Sequence, residues 1–151
     1  LVLGPLLASR GSAKVPLPGG CAIGSRPIDL HIMVMESLGA HIKFDSGFII
    51  GSLKNEGLKG NVINFPKVSV GATESAIMTA VFAKGQTNIF NAATEPEIID
   101  LANCLNKAGA DIKGLGTKHL IINGVSHLNN VCHYFGSGQY LDKFSSYKII
   151  N

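Results

Sequence analysis

Apolar positions along the chain switch between two spacings, and the switches recur. Ile28, Ile32, Met35 and Leu38 fall at helical spacing, and so do Ile98, Leu101, Ala102 and Leu105 further on. Each of these runs stops at a glycine, Gly39 and Gly109, which predicts a helix end. Ser25 and Pro27 are positioned to open the earlier helix. Thr94-Glu95-Pro96-Glu97 reads as a capping box with proline in the first turn of the later one. Short strands are predicted before them, over residues 13–17 and 87–90. After each helix a hairpin is expected, turning at Asp45-Ser46-Gly47 and at Gly114-Leu115-Gly116. Ahead of each strand, a further helix should close on a basic residue plus glycine, at Arg10-Gly11 and at Lys84-Gly85; the second of these is predicted over residues 74–84.

The two series are copies of one unit. Pro27, in Arg26-Pro27-Ile28-Asp29-Leu30, precedes Pro96, in Glu95-Pro96-Glu97-Ile98, by sixty-nine positions. Leu38-Gly39-Ala40-His41-Ile42-Lys43 answers Ala108-Gly109-Ala110-Asp111-Ile112-Lys113 at seventy. Ala8-Ser9-Arg10-Gly11 answers Phe82-Ala83-Lys84-Gly85 at seventy-four. Helix, strand, helix and hairpin, repeated at about seventy residues, predict a repeated α/β unit and not a Rossmann sheet. Gly114 and Gly116 resemble a nucleotide loop only weakly, and their place in the repeat reads as a turn. The chain opens on Leu1-Val2-Leu3 without an initiator Met, and its first helix lacks the opening turn of its counterpart near Thr73. A piece of a larger protein is therefore expected.

Where the copies differ, shared packing is no explanation. Val15 to Pro27 spans twelve steps and the matching Ile89 to Pro96 spans seven, so the first copy carries about five extra residues. They fall in Pro16-Leu17-Pro18-Gly19-Gly20-Cys21-Ala22-Ile23-Gly24-Ser25, a Gly-rich loop of the kind that carries binding and catalysis. Arg26 stands where the other copy has Glu95. A cation in the first turn opposes the helix dipole by a few tenths to about 1 kcal/mol. A bound anion would account for it; a solvated arginine is the alternative. Cys21 lies five residues before that arginine. A free thiol is only a few per cent thiolate at neutral pH, and a nearby cation or helix N-terminus raises the fraction. Cys104, between Leu101 and Leu105 on an apolar face, reads as structural, and Cys132 carries no such signal of reactivity. Lys67 and Ser69, just before a helix, can bind a phosphate or a sugar hydroxyl, or Lys67 can be merely solvated. His31 reads as a polar neighbour of the arginine turn or as a helix-surface residue.

Composition narrows the classes. The 151 residues suit one domain, and 46% hydrophobic against 15% charged residues exclude a disordered chain. A net charge of +3 with scattered basic residues does not make a nucleic-acid footprint. Three cysteines without a CxxC do not make a disulfide framework or a zinc site, and the histidines lack metal-ligand spacing. No apolar run reaches the length of a membrane span, no N-x-[ST] acceptor occurs, and no basic stretch precedes the apolar start. The cytoplasm is the expected compartment, with no metal and no cofactor.

Residues 17–31, Leu-Pro-Gly-Gly-Cys-Ala-Ile-Gly-Ser-Arg-Pro-Ile-Asp-Leu-His, resemble the UDP-N-acetylglucosamine enolpyruvyl transferases of peptidoglycan synthesis. Lys67-Val68-Ser69-Val70-Gly71-Ala72-Thr73 resembles that family's next signature. Asn91-Ala92-Ala93, with the stretch from Glu95 to Asn103, resembles the one after. The resemblance runs from Leu1 to about Val125. It implies an inside-out α/β barrel, in which each of two domains holds three pseudo-repeats and about two are present here. It implies transfer of the enolpyruvyl group of phosphoenolpyruvate to the sugar 3-hydroxyl of UDP-N-acetylglucosamine, with release of phosphate, in the pathway that serves cell shape and division. Cys21 then matches the lid-loop cysteine that forms a phospholactoyl adduct and that fosfomycin alkylates. Arg26, Pro27, Ile28, Asp29 and Leu30, and Lys67, Val68, Ser69 and Val70, match the residues that contact UDP-N-acetylglucosamine, with Arg26 also near the phosphates.

Two departures stand out. The family's Lys-Asn pair near the N-terminus, and the Asp and Arg residues of its other domain, have no counterpart here. After Val125, Phe135-Gly136-Ser137-Gly138-Gln139-Tyr140 replaces a Pro-Asp-Arg-Ile-Glu-Thr-Gly-like stretch. Residues 1–125 are thus expected to form a partial enolpyruvyl transferase domain and residues 126–151 a divergent tail. The alternatives are a non-catalytic remnant that at most binds UDP-sugar, and a shikimate-pathway enolpyruvyl transferase, which Cys21 disfavours. The isolated chain is expected to be inactive without the missing segments of the enzyme.

Overall fold

A computed structural model describes residues 2–17, 28–54, 56–134 and 146–148. Its first half runs α1 (Leu3–Arg10), β1 (Ser12–Pro16), α2 (Asp29–Ser37), β2 (Ala40–Asp45) and β3 (Phe48–Leu53). After β4 (Val62–Asn64) the same series returns as α3 (Val70–Ala80), β5 (Gln86–Phe90), α4 (Pro96–Lys107), β6 (Asp111–Lys113) and β7 (His119–Asn123). Two short strands, β8 (Cys132–Tyr134) and β9 (Ser146–Lys148), pair with each other. The strand order β1-β3-β2 in the first sheet is matched by β5-β7-β6 in the second, with every one of these neighbours antiparallel. Strand β4 extends the second sheet by pairing parallel to β5.

Local chemistry explains much of this. Asp45 pairs with Phe48 across a two-residue turn, in which Ser46 (φ 48°) and Gly47 (φ 80°) both take the left-handed conformation. That is the turn whose twist suits a hairpin. Helix α1 closes as expected, with Gly11 at φ 71° donating its N–H to the Leu7 carbonyl.

Three local expectations need correction. Helix α3 is displaced towards the N-terminus of the expected 74–84 span, because the Ser69 side chain caps it by accepting the Ala72 N–H at 3.3 Å. It ends at Ala80 because the next turn tightens, with Phe82 and Ala83 donating to Thr79 and Ala80. Lys84 then bonds to Leu58. In α4 the cap position is Glu95 and not Thr94, and no side chain caps it; Pro96, at the first turn, has no N–H to satisfy. On α2 the buried stripe is Leu30, Val34, Met35 and Leu38, while Ile28 and Ile32 are half-buried at its margin. Asp-Leu-His-Ile-Met-Val-Met is apolar on several sides, so its spacing alone does not choose the face. Packing against both α3 and β2 does. Residues 18–27, including Ser25 and Pro27, lie outside the described residues.

The core sits between helices and sheets. Helix α3 packs against α1, α2 and α4, and its buried residues Ala72, Thr73, Ser75, Ala76, Thr79 and Ala80 are small, with Ile77 the one large side chain among them. Each sheet turns one face inward, through Ala40, Ile49 and Gly51 in the first and Ile63, Ile89, Leu120 and Ile122 in the second. The chain beyond Val125 continues to pack on α4. Asn129 donates to the Ala108 carbonyl at 2.7 Å, and Leu128 is buried. His133, also buried, sets Nε2 3.0 Å from Asp100 Oδ1 and Nδ1 3.2 Å from Lys107 Nζ. A neutral ring with its proton on Nε2 satisfies both partners. No helix among the described residues is long and apolar enough to cross a membrane.

Gly4 sits where α1 crosses α3, and a Cβ there would overlap the Thr79 hydroxyl. In an isolated helix Gly→Ala gains about 1 kcal/mol. Overpacking a tight contact costs about 1–3 kcal/mol, so the crossing should decide the sign. Gly4→Ala is expected to lower the urea midpoint of the chain; an unchanged or higher midpoint would mean the crossing can open without loss.

Candidate functional site

The candidate site is built on the first turns of α2 and α3. Ile28, half-buried, takes the cap position of α2 at φ −104°, ψ −2°. Leu30 is buried and anchors the turn in the core, which leaves Asp29 exposed beside it. The Asp29 carboxylate lies in the first turn, where negative charge complements the helix dipole. Residues 65–69 link β4 to α3 and carry the second group of expected site residues. Lys67 and Val68 are exposed, whereas Ser69 and Val70 are half-buried. Ser69 accepts the Ala72 N–H, so its own O–H is left to donate outward. Among the described residues Lys67 has no carboxylate partner.

The two first turns touch. A Cβ added at Gly71 would lie 3.6 Å from Cε1 and 3.7 Å from Nε2 of His31. The Asp29-Leu30-His31 turn and the Ser69-Val70-Gly71 turn therefore meet, and two helix N-termini contribute partial positive charge at one place, with Lys67 nearby in sequence. Cys21, Arg26 and Pro27 fall within residues 18–27, outside the described residues.

Charge at the edges of the site is set by burial. The His31 ring is held below the ordinary histidine range chiefly by burial, with Asp29 pulling the other way. Among the described residues its buried Nδ1 has no hydrogen-bond partner. Burial, reinforced by Glu97, pushes the Glu74 carboxyl up. On α4, burial and then Asp100 push the Cys104 thiol up, away from the thiolate, which agrees with a structural role.

Two residues quoted only as parts of signatures turn out to hold the Lys67 segment. Asn91, at φ 56°, donates its side-chain N–H to the Phe65 carbonyl at 2.9 Å. Thr73 is fully buried; its hydroxyl donates to the Ser69 carbonyl at 2.8 Å and accepts the Ala93 N–H at 3.0 Å. The sequence signal for Asn91 was an Asn at a strand end, a residue type that tolerates the left-handed conformation. Nothing in the sequence named its partner.

His31 makes stability depend on pH in a definite direction. Its folded pKa lies below 6.5, so between the two values the unfolded chain binds more protons, and stability falls as pH falls through that window. In paired urea titrations at about pH 7.5 and about pH 5.5, His31→Asn should lose less stability on acidification than the parent chain. Equal losses would show that His31 titrates normally.

The family profile described as EPSP synthase (3-phosphoshikimate 1-carboxyvinyltransferase) matches residues 1–135. UDP-N-acetylglucosamine 1-carboxyvinyltransferase of Zymomonas mobilis is 56% identical over 133 residues, covering 88% of this chain and 31% of the relative. The Acidiphilium cryptum protein of the same name is also 56% identical over 133 residues, covering 88% of this chain and 32% of the relative. The chain thus spans about a third of the length of these curated relatives. Among solved structures, the enolpyruvyl transferase NikO from Streptomyces tendae aligns with a TM-score of 0.67 at 20% identity, over 82% of this chain and 29% of that one. An EPSP synthase from Acinetobacter baumannii aligns at 0.64 and 18% identity, over 84% of this chain and 28% of that one. At such identity the likeness speaks to fold, and the fold is the α/β architecture of the enolpyruvyl transferases, as the resemblance implied. With the profile matched over residues 1–135 and the repeated helix–strand–helix–hairpin unit in place, the chain belongs to the EPSP synthase family.

Proposed function

We propose that the chain is a portion of a UDP-N-acetylglucosamine 1-carboxyvinyltransferase and supplies the nucleotide-sugar side of its cleft together with the Cys21 loop. The observation that carries this reading is the 56% identity to relatives of that name over 133 residues. The Cys21 loop supports it further, since the shikimate-pathway enzyme has no equivalent cysteine. In the reaction, the sugar 3-hydroxyl oxygen bonds to the enol carbon of phosphoenolpyruvate. The bond from that carbon to the phosphate oxygen breaks, the hydroxyl proton is lost, and inorganic phosphate leaves.

Both substrates are anions, and the site is suited to them. The N–H groups at the starts of α2 and α3, the Lys67 ammonium and the Arg26 guanidinium supply the compensating charge. The Ser69 O–H donates to a ligand oxygen, while Pro27, Ile28, Asp29, Leu30, Val68 and Val70 shape the pocket around the nucleotide sugar. Cys21 is the covalent lid residue, through its thiolate. On this reading the substrates are cytoplasmic, no cofactor or metal takes part, and the product enters cell-wall synthesis. Because the chain spans about a third of its relatives, a second reading has specific support: a module that binds UDP-sugar without turnover.

Intact mass after incubation with fosfomycin, with and without UDP-N-acetylglucosamine, tests the site. One adduct is expected, absent in Cys21→Ser and formed faster with the sugar nucleotide. No adduct, or equal labelling of Cys104 and Cys132, would overturn the proposal. Losing a charge-assisted hydrogen bond costs about 1.5–3 kcal/mol, so Lys67→Ala should weaken UDP-N-acetylglucosamine binding by roughly ten- to a hundredfold in calorimetric titration. Phosphate release is expected only when the missing segments are supplied in trans. Release by the chain alone above the Cys21→Ser control would instead show a complete catalytic site.

A further inference from the structure

We infer that Asn91 and Thr73 are positioning residues for the Lys67 segment: Asn91 braces one end directly from the connector between β5 and α4, Thr73 ties the other end to the same connector through Ala93, and together they set where the Lys67 ammonium meets a ligand. The inference rests on the reading of Lys67 as a nucleotide-sugar contact.

Residues 65–69 leave the sheet at Phe65 and enter α3 at Ser69. Pro66, Lys67 and Val68, in between, are exposed and lack the packing that would hold them. Their flanks are held instead. At one flank Phe65 donates its N–H to the Phe90 carbonyl at 3.1 Å, and its own carbonyl accepts the Asn91 side-chain N–H at 2.9 Å. At the other flank the Ser69 carbonyl accepts the Thr73 hydroxyl, which in turn accepts the Ala93 N–H. Both braces therefore reach the same short connector, residues 91–93. The connector is itself fixed, because Ala92 and Ala93 are buried and Ala92 donates to the Lys118 carbonyl at 3.0 Å. One buried segment thus fixes both ends of an exposed one.

Turn geometry alone does not account for Asn91. A residue at φ 56° needs only to tolerate the left-handed region, which glycine does better. The amide is oriented by its partner: a carbonyl only accepts, so the nitrogen must face Phe65. Comparison of the copies points the same way. Val15 answers Ile89, so Leu17 answers Asn91, and Leu17 uses its backbone N–H to close on the hairpin at Gly47. Leucine has no side-chain donor, so at this position the brace is present in the second copy and not in the first. Neither Asn91 nor Thr73 needs to touch the ligand; each acts through the backbone that carries Lys67 and Ser69.

The test uses the full chain and variants that separate backbone from brace. Asn91→Gly keeps the left-handed conformation and loses the amide. Asn91→Asp keeps shape and conformation but sets an acceptor against the Phe65 carbonyl. Thr73→Val removes the hydroxyl, and Thr73→Ser restores it. Hydrogen exchange at the Phe65 and Ala72 amides, which donate to the Phe90 carbonyl and the Ser69 hydroxyl at the two flanks, should quicken roughly tenfold in Asn91→Gly and Asn91→Asp, the equivalent of one lost hydrogen bond. Exchange at core amides such as Ile77 and Leu120 should not change. Thr73→Ser should behave as the parent, and Thr73→Val as the Asn91 variants. The second readout is protection of Lys67 by UDP-N-acetylglucosamine against an amine-acylating reagent. Half-protection should require about tenfold more ligand in the Asn91 variants.

Unchanged local exchange in both Asn91 variants, or parent-like behaviour of Asn91→Asp, would overturn the brace. Faster exchange with unaltered Lys67 protection would overturn the positioning role, since the brace would then serve the fold alone. If the parent chain itself shows no protection at millimolar ligand while the exchange differences persist, the nucleotide-sugar reading fails and the brace is supported.

Discussion

Helix α3 is enclosed by α1, α2 and α4, and that enclosure limits every residue it can carry. Its buried positions are alanine, serine and threonine, with Ile77 as the one large buried side chain. Small side chains let the neighbouring helices come close, and α1 answers with Gly4 at the Thr79 crossing. The helices then fill the space between two sheets whose inner faces supply the larger side chains. Any growth at the α3 surface would push three helices apart at once, because close-packed interiors do not absorb added volume.

The same helix has polar groups to satisfy inside that core. Thr79 returns its hydroxyl to the Ser75 carbonyl at 2.6 Å, and Thr73 returns its own to Ser69. An unpaired hydroxyl in this setting costs about 1–3 kcal/mol, which is why each is spent on a neighbour. Thr73 does more than satisfy itself, since it also receives the Ala93 N–H. The first turn of α3, which carries the candidate site, is thereby tied to the buried connector of the second repeat. Stability and site geometry share one helix.

The two repeats are put to different uses. Both contain the same strand order and both close their second helix at a glycine with positive φ, Gly39 at 96° and Gly109 at 104°. The first carries the cysteine loop and the turn beginning at Ile28. The second carries the Lys67 segment and the connector that holds it. Packing of α2 against α3 joins these halves, through the His31–Gly71 contact, into one surface. Beyond the repeats, His133 reaches back to Asp100 and Lys107, so the chain after Val125 is part of the fold at least as far as β8.

What was legible in the sequence is what a few adjacent residues decide. Ser46-Gly47 dictates its turn through backbone conformation alone, Gly11 and Gly39 stop their helices the same way, and the seventy-residue repeat and the signatures around Cys21 and Lys67 can be read by eye. The family and the fold class follow from these. Tertiary structure decided the rest. It chose the buried face of α2, because an almost wholly apolar helix presents several equivalent stripes until neighbours cover some of them. It moved α3 to begin at Val70, because Ser69 caps the helix once its carbonyl and hydroxyl are held in place. It paired Asn91 with Phe65, twenty-six residues away, and His133 with Asp100, thirty-three away. Local preferences act on the backbone within a turn, whereas these hydrogen bonds exist only when folding has brought distant groups within about 3 Å.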